Sequence, residues 1–128
     1  MYSQIGKRIP VHCSALGKSL ISSLPEEKLI EKFKNYVFRV FTKNTIDNLQ
    51  DFILEIKRVK KLGWSMDNEE HENGIKCFAS PVFDYKGNII AAISITGSIN
   101  NLSKDDDELG KLIMEAAIKI SSKLGYVK

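Results

Sequence analysis

The strand predicted between Asn88 and Ser98 sorts its side chains into two chemically different faces. One face is small and polar, and it consists of Ala92, Ser94, Thr96 and Ser98. The other face is apolar, and it consists of Ile89, Ala91, Ile93 and Ile95. A face of hydroxyls and small side chains can line a pocket for a small polar ligand, because it offers hydrogen-bond donors and acceptors without filling the space. Close packing of a helix on this face, or its exposure to solvent, are the alternatives.

Cys77 lies in a second predicted strand, from Lys76 to Phe83, where alternation places it on one face with Ala79 and Pro81. In a hairpin with the first strand, Cys77 can therefore share a face with Ser94 and Thr96. A lone cysteine in a strand is usually a small buried apolar residue. A reactive thiol would need a lowered pKa and exposure to solvent, and the sequence shows neither.

The segment from His12 to Lys18 places small residues where a helix is predicted to begin. Unpaired backbone amides at a helix start favour an anion such as a carboxylate, whereas capping by Ser14 accounts for the same residues without a ligand. Gly17 would let either a ligand or another backbone segment approach closely. Lys18 either adds charge to this region or is solvated.

Two thiols and two histidines raise the question of a metal or redox site. The sequence contains neither a C-x-x-C pair nor an H-E-x-x-H helix. An acidic cluster surrounds one imidazole in Glu69, Glu70, His71 and Glu72, but neighbours in one loop seldom converge on a tetrahedral centre. We therefore expect no metal site, no cofactor and a solvated acidic loop.

Helix signals place these residues within a small set of elements. The closing helix has apolar residues at three- and four-residue steps, with Ser103 as its predicted N-cap and Gly125 after its end. A second helix is predicted from Asp47 to Leu62, ended by Gly63. Between Ser14 and Lys34, Pro25 separates two further helices, the first from Ser14 to Ser23.

A short strand from Trp64 to Asp67 precedes the two longer strands, which a tight turn at Lys86 and Gly87 joins. A tight hairpin requires antiparallel pairing. The predicted fold class is therefore α+β, an antiparallel sheet covered by helices.

Composition excludes several classes of function. A length of 128 residues fits one domain, and the net charge of +3 is spread along the chain with only three arginines, which argues against strong nucleic-acid binding by this chain alone. The apolar runs are shorter than the roughly 20 residues that cross a bilayer, and no signal peptide is evident. Cys13 and Cys77 are best interpreted as reduced thiols in the cytoplasm.

Taken in order, the segments of the chain resemble the effector-binding domain of the IclR-type bacterial transcription regulators, named after the isocitrate lyase regulator. The similarity runs through 8–20, 24–27, 63–70, 73–82, 92–97 and 124–125. It implies a GAF-like or profilin-like fold, an antiparallel sheet flanked by helices. It also implies that residues 1–128 form an effector-binding domain, shortened on its N-terminal side, whose N-terminal winged helix-turn-helix is absent from this chain.

The same resemblance implies a pocket for a small oxo- or hydroxy-acid. Its matching positions here are Ile9, Ala15, Leu16, Asp67, Cys77, Ser94 and Thr96. The amides of Ala15 and Leu16 would hold a carboxylate, and the hydroxyls would bond other ligand oxygens. Ile9 would close an apolar wall, while Asp67 would accept a ligand hydroxyl or amine.

The leading hypothesis is thus a sensor without enzymatic activity and without a membrane role. A small carboxylic or sugar acid would bind a homodimer or homotetramer and control operator binding allosterically through the absent DNA-binding domain. Two alternatives stay open: a thiol-based redox enzyme or redox sensor that uses Cys13 and Cys77, and a dimerisation module with an empty pocket.

Overall fold

The computed structural model describes residues 9–102 and 104–127. Its elements confirm the α+β class and occur in this order: a short 3-10 helix Val11–Cys13, α1 Ala15–Leu20, α2 Glu26–Phe33, α3 Leu49–Leu62, β1 Ser65–Asn68, β2 Ile75–Phe83, β3 Ile89–Ser98 and α4 Asp106–Lys123. The predicted N-cap Ser103 and the first residue of the family motif, Arg8, lie outside the described residues.

The three strands form an antiparallel sheet in the order β1-β2-β3. β2 and β3 make the predicted hairpin, in which the Asp84 side chain accepts hydrogen bonds from the amides of Lys86 and Asn88, and Gly87 adopts a φ of 82°. A β-bulge near the hairpin pairs Val82 with Ala91 but Phe83 with Ile89, so the regular alternation along β3 holds from Ala91 onward.

Each face of the sheet packs against a different helix. On one face, Phe78 packs with Trp64 and with the α4 residues Leu109 and Ile113. On the other, Ala15 of α1 packs against Cys77 and Ala79 of β2. α2 and α3 share a separate aromatic cluster in which the Phe33 and Phe52 rings lie 5.0 Å apart. β2 is therefore the central strand of both layers, as its run of buried residues requires.

The helix boundaries differ from the predicted ones for local reasons. α3 begins at Leu49 because the Asn48 side chain accepts a hydrogen bond from the Asp51 amide at 2.9 Å, and it ends at Leu62 as predicted, just before Gly63, whose φ is 87°. α1 ends at Leu20 and not at Ser23. Beyond Leu20 the chain forms turns whose amides bond to the carbonyl three residues earlier, as the Ser22 amide does to the Ser19 carbonyl. Within the described ranges, no helix is long and apolar enough to span a bilayer.

Candidate functional site

A cleft opens on the face of the sheet that α1 covers, and its empty space, counted to the open mouth, is about 560 Å³. It lies between the start of α1, the sheet and the loop after β1. Its lining residues are Ile9, Cys13, Ser14, Ala15, Leu16, Asp67, His71, Glu72, Ile75, Cys77, Ser94 and Thr96. All seven residues predicted for the pocket are among them, so the structure brings them together in one place. Their role in binding stays a prediction.

The floor of the cleft follows directly from the strand register. Asp67 of β1 pairs with Cys77 of β2, and Cys77 pairs in turn with Thr96 of β3. Ser94 lies opposite Ala79, two residues further along, on the same face. The Thr96 hydroxyl donates a hydrogen bond to the Cys77 sulfur at 3.0 Å. A row of small polar groups therefore crosses the sheet, and the alternation predicted for β3 is confirmed over this part.

The α1 side of the cleft is fixed by bonds around its first turn. Ser14 caps the helix by accepting a hydrogen bond from the Gly17 amide at 3.1 Å, and the Ser65 hydroxyl donates to the Ala15 carbonyl at 2.6 Å. Ala15 and Leu16 are the first residues of the helix, whose amides have no partner within it. A Cβ at Gly17 would lie 3.0 Å from the Val11 Cα, so this glycine admits backbone and not a ligand.

Asp67 is the buried carboxylate of the cleft, with 8% of its surface exposed. Its Oδ1 accepts a hydrogen bond from the Glu70 amide at 2.7 Å, which fixes the loop that follows β1. Burial raises the pKa of Asp67 to about 6, and the nearby Glu70 carboxylate acts in the same direction. The bonds from the Glu70 and His71 amides and the charge of Lys18 counteract this only in part.

Behind the cleft, Lys18 is completely buried, which rules out the solvated alternative for this residue. Its ammonium donates to Glu70 at 2.6 Å, to Glu55 of α3 at 2.8 Å and to the Met66 carbonyl at 2.9 Å. Desolvation lowers the pKa of Lys18, but the two carboxylates outweigh it and the net shift is upward. The interpretation of the acidic loop as solvated is wrong for Glu70, which is buried as the counterion of Lys18.

The buried position of Lys18 left a signal in the sequence. Lys18 and Ser19 follow Ala15 at three- and four-residue steps and so lie on one helical face with it. That face is the buried one.

Five further residues that line the cleft were not predicted as ligand contacts: Cys13, Ser14, His71, Glu72 and Ile75. His71 and Glu72 reach the cleft through the loop conformation that Asp67 and Glu70 set, which no local pattern encodes.

The remaining histidine, His12, is a structural residue. Its Nε2 donates to the Arg39 carbonyl at 2.8 Å, and its Nδ1 lies 2.8 Å from the Tyr36 hydroxyl, which donates to it. Burial lowers the pKa of His12, which favours the neutral ring. Within the described residues, no group of three or more His, Cys, Asp or Glu side chains is arranged to hold a metal ion.

Both thiols are free and buried. Burial raises the pKa of Cys13 to about 12 and also raises the pKa of Cys77. Since the thiolate is the nucleophilic form, the raised pKa and the burial of each thiol disfavour reaction near neutral pH. These observations give the thiol-based alternative no support.

Comparison with known proteins identifies the family. The family model for the C-terminal domain of bacterial transcriptional regulators of the IclR type matches residues 1–122. This chain belongs to that family. It is 36% identical over 126 residues to the HTH-type transcriptional repressor AllR of Salmonella typhi. The aligned region covers 98% of this chain and 46% of the repressor. The chain thus spans about half the length of the curated relatives it matches.

Solved structures of the family share the fold. The C-terminal domain of the Escherichia coli regulator KdgR superposes with a TM-score of 0.82 at 31% identity, covering 95% of this chain and 75% of that one. The inducer-binding domain of an Acinetobacter PobR double mutant was solved with 3-hydroxybenzoic acid. It superposes with a TM-score of 0.82 at 27% identity, and the match covers 95% of this chain and 69% of that one. The relatives are regulators, which confirms the expectation that this is not an enzyme family.

Proposed function

We propose that this domain is the sensor of a transcription regulator and that its effector, a small carboxylic or sugar acid, binds in the cleft on the α1 face of the sheet. The observation that carries the proposal is the convergence of Ile9, Ala15, Leu16, Asp67, Cys77, Ser94 and Thr96 on one small cleft. The inducer complex of PobR supports the ligand class, since that protein is a relative solved with a hydroxylated carboxylic acid.

The roles of the residues follow from their chemistry. The amides of Ala15 and Leu16 bind the ligand carboxylate, because amides in the first turn of a helix lack partners. Hydroxyls of Ser94 and Thr96 bond other ligand oxygens, and Ile9 covers the apolar part of the ligand. Asp67 accepts a hydroxyl or amine group of the ligand when it is ionised.

Binding acts on transcription only if the effector has different affinities for two states of the whole regulator. We infer that the regulator is a homodimer or homotetramer in the bacterial cytoplasm, whose operator contacts are made by an N-terminal winged helix-turn-helix. A coupling free energy of about 1 to 3 kcal/mol would change operator affinity about 5- to 150-fold. A native mass spectrum of gently purified protein would report the subunit count and any retained acid together.

The test of the site is the double variant Ser94→Ala, Thr96→Ala. Carboxylic and sugar acids are screened by thermal shift, and those that stabilise the wild type are titrated calorimetrically. Losing two hydrogen bonds to the ligand should weaken binding by about 10-fold or more. Ser98→Ala is the matched control, because Ser98 lies on the same strand and face but does not line the cleft. Equal affinity in the double variant and the control would disprove the site.

A further inference from the structure

The charges that surround the cleft are poorly suited to an anion. Two of its lining residues, Asp67 and Glu72, carry carboxylates, and His71 is the one imidazole. Among the cleft residues in the described part of the chain, none is a lysine or an arginine. An acid effector therefore meets two carboxylates, and no lysine or arginine, among the described residues that line the cleft.

The nearby cation does not change this balance. Lys18 lies behind the cleft, but its ammonium is paired with both Glu55 and Glu70, at 2.8 and 2.6 Å. Arg58 also pairs with Glu55, at 2.9 Å, so the two cations and the two carboxylates of this group balance each other. Lys18 thus stabilises the loop after β1 without offering a free positive charge to a ligand.

A carboxylate in this cleft cannot lie far from Asp67. An empty space of about 560 Å³, which includes the open mouth, is about 10 Å across when taken as a sphere, close to the Debye length of ~10 Å at 0.1 M salt. Salt therefore screens the ligand carboxylate from Asp67 only in part. Two carboxylates that share one site raise the affinity of the pair for a proton, since ionising both places like charges together.

We propose that a carboxylic-acid effector binds this cleft together with one proton from the solvent, and that Asp67 takes up this proton. The inference rests on the proposed function. The pair then carries one negative charge in place of two, and the neutral carboxyl group becomes a hydrogen-bond donor to the ligand. On dissociation of the ligand the proton returns to the solvent, so the charge balances in both directions.

Other titratable groups face Asp67, and each is accounted for. They come from the 3-10 helix, α1, the loop after β1, and β2, and they are Cys13, Lys18, Glu70, His71, Glu72 and Cys77. The two thiols are neutral because burial raises the pKa of each. Lys18 and Glu70 neutralise each other in an ion pair. His71 and Glu72 are the two residues whose own protonation the experiment must separate from that of Asp67.

Without ligand, the raised pKa of Asp67, about 6, leaves this carboxyl mostly ionised above neutral pH and ready to gain a proton. A bound anion raises that pKa further. The ligand-bound state then holds more protons than the free state, so affinity is highest at low pH. The affinity falls as the pH rises above about 6, by up to about tenfold per pH unit when binding takes up one proton.

Titration calorimetry tests this with glycolate, pyruvate, gluconate and 3-hydroxybenzoate between about pH 5.5 and 8.5, in buffers of different ionisation enthalpy. We expect uptake of up to one proton per ligand and a dissociation constant that rises with pH. The amides glycolamide and 3-hydroxybenzamide should show neither effect. Asp67→Asn, an uncharged mimic of the protonated form, should bind the acids with little dependence on pH.

His71→Gln and Glu72→Gln are the matched variants. Both should keep the proton uptake of the wild type and its dependence of affinity on pH, whatever their affinity.

If the wild type binds acids without proton uptake, the inference is overturned while the proposed function stands. If His71→Gln or Glu72→Gln loses the uptake while Asp67→Asn keeps it, the inference is equally wrong. If the folded protein binds none of these acids at any pH, the proposed ligand class fails and this inference with it. If Asp67→Asn does not fold, the other three proteins still test the inference. Proton uptake by the wild type and by both glutamine variants supports it, and loss of uptake in the wild type or in either variant overturns it.

Discussion

At the scale of single residues, Lys18 and Asp67 show how burial gives two charged side chains opposite properties. Lys18 is fully buried, but two carboxylates hold it in its charged form. Asp67 is nearly as buried, and although amide hydrogen bonds stabilise its ionised form, burial outweighs them and raises its pKa. The first residue is therefore suited to support the structure, and the second to respond to a ligand.

Lys18→Met should lower the free energy of unfolding by about 3 to 5 kcal/mol, because Glu70 would be left buried without its cation, whereas Glu55 keeps its ion pair with Arg58. Urea denaturation at neutral pH measures this loss. Lys57→Met is the matched control: Lys57 pairs with Glu26 at the surface, where removing a partner costs about 0 to 1 kcal/mol. A Lys18 variant as stable as the Lys57 variant would contradict the structural role assigned to the buried cation.

At the scale of elements, β2 decides how the two layers fit together. Its odd-numbered residues Cys77 and Ala79 face α1 and the cleft, while Phe78 faces α4. The α4 contact is close because Gly110 has no side chain where the Trp64 ring lies. The end of α4 is held by Ser121, whose hydroxyl accepts a hydrogen bond from the Phe83 amide at 3.0 Å. The position of β2, and with it the floor of the cleft, thus depends on close packing of α4.

Gly110→Ala tests this packing. A Cβ at this position would overlap the Trp64 indole ring, at a cost of about 1 to 3 kcal/mol, against a gain in helix propensity of about 1 kcal/mol. We expect a net loss of stability, measured as a lower midpoint of thermal unfolding. Ser122→Ala, at an exposed site on the same helix, should raise the midpoint slightly through propensity alone. Stabilisation by both substitutions would show that α4 is not closely packed on Trp64.

At the scale of the whole molecule, one sheet joins a layer that contains the cleft and a supporting layer. Trp64 is the only tryptophan of the chain, and it lies in the core between the sheet and α4, on the face away from the cleft. Its fluorescence therefore reports on the supporting layer. Far-UV circular dichroism reports on all of the helices and strands.

We expect both signals to give one coincident unfolding transition, because β2 belongs to both layers and cannot leave one without the other. An acid at about 100 times its dissociation constant should then stabilise both signals equally, by about 2.7 kcal/mol. Two separate midpoints, or a ligand effect on circular dichroism but not on Trp64, would show that the layers unfold independently.

Local patterns in the sequence determined most of the elements of this domain. Period-2 alternation indicated the polar face of β3, the three- and four-residue steps indicated α3 and α4, and the hairpin at Gly87 required antiparallel pairing. The similarity to a regulator family added Ile9 and Asp67 to the cleft positions that these patterns had already indicated, and the strand register and α1 brought all seven together. All of these features depend on neighbours in sequence or on family pattern.

Only the tertiary structure decided which charged residues are buried and with what partners. Lys18, Glu55 and Glu70 come from three separate elements, and their distances of 2.6 to 2.8 Å follow from how α1 and α3 pack beside β1. The same packing removes Asp67 from water and raises its pKa. Desolvation and charge pairing depend on the positions of distant residues in space, and for that reason the chemistry of this cleft could not be predicted from local sequence.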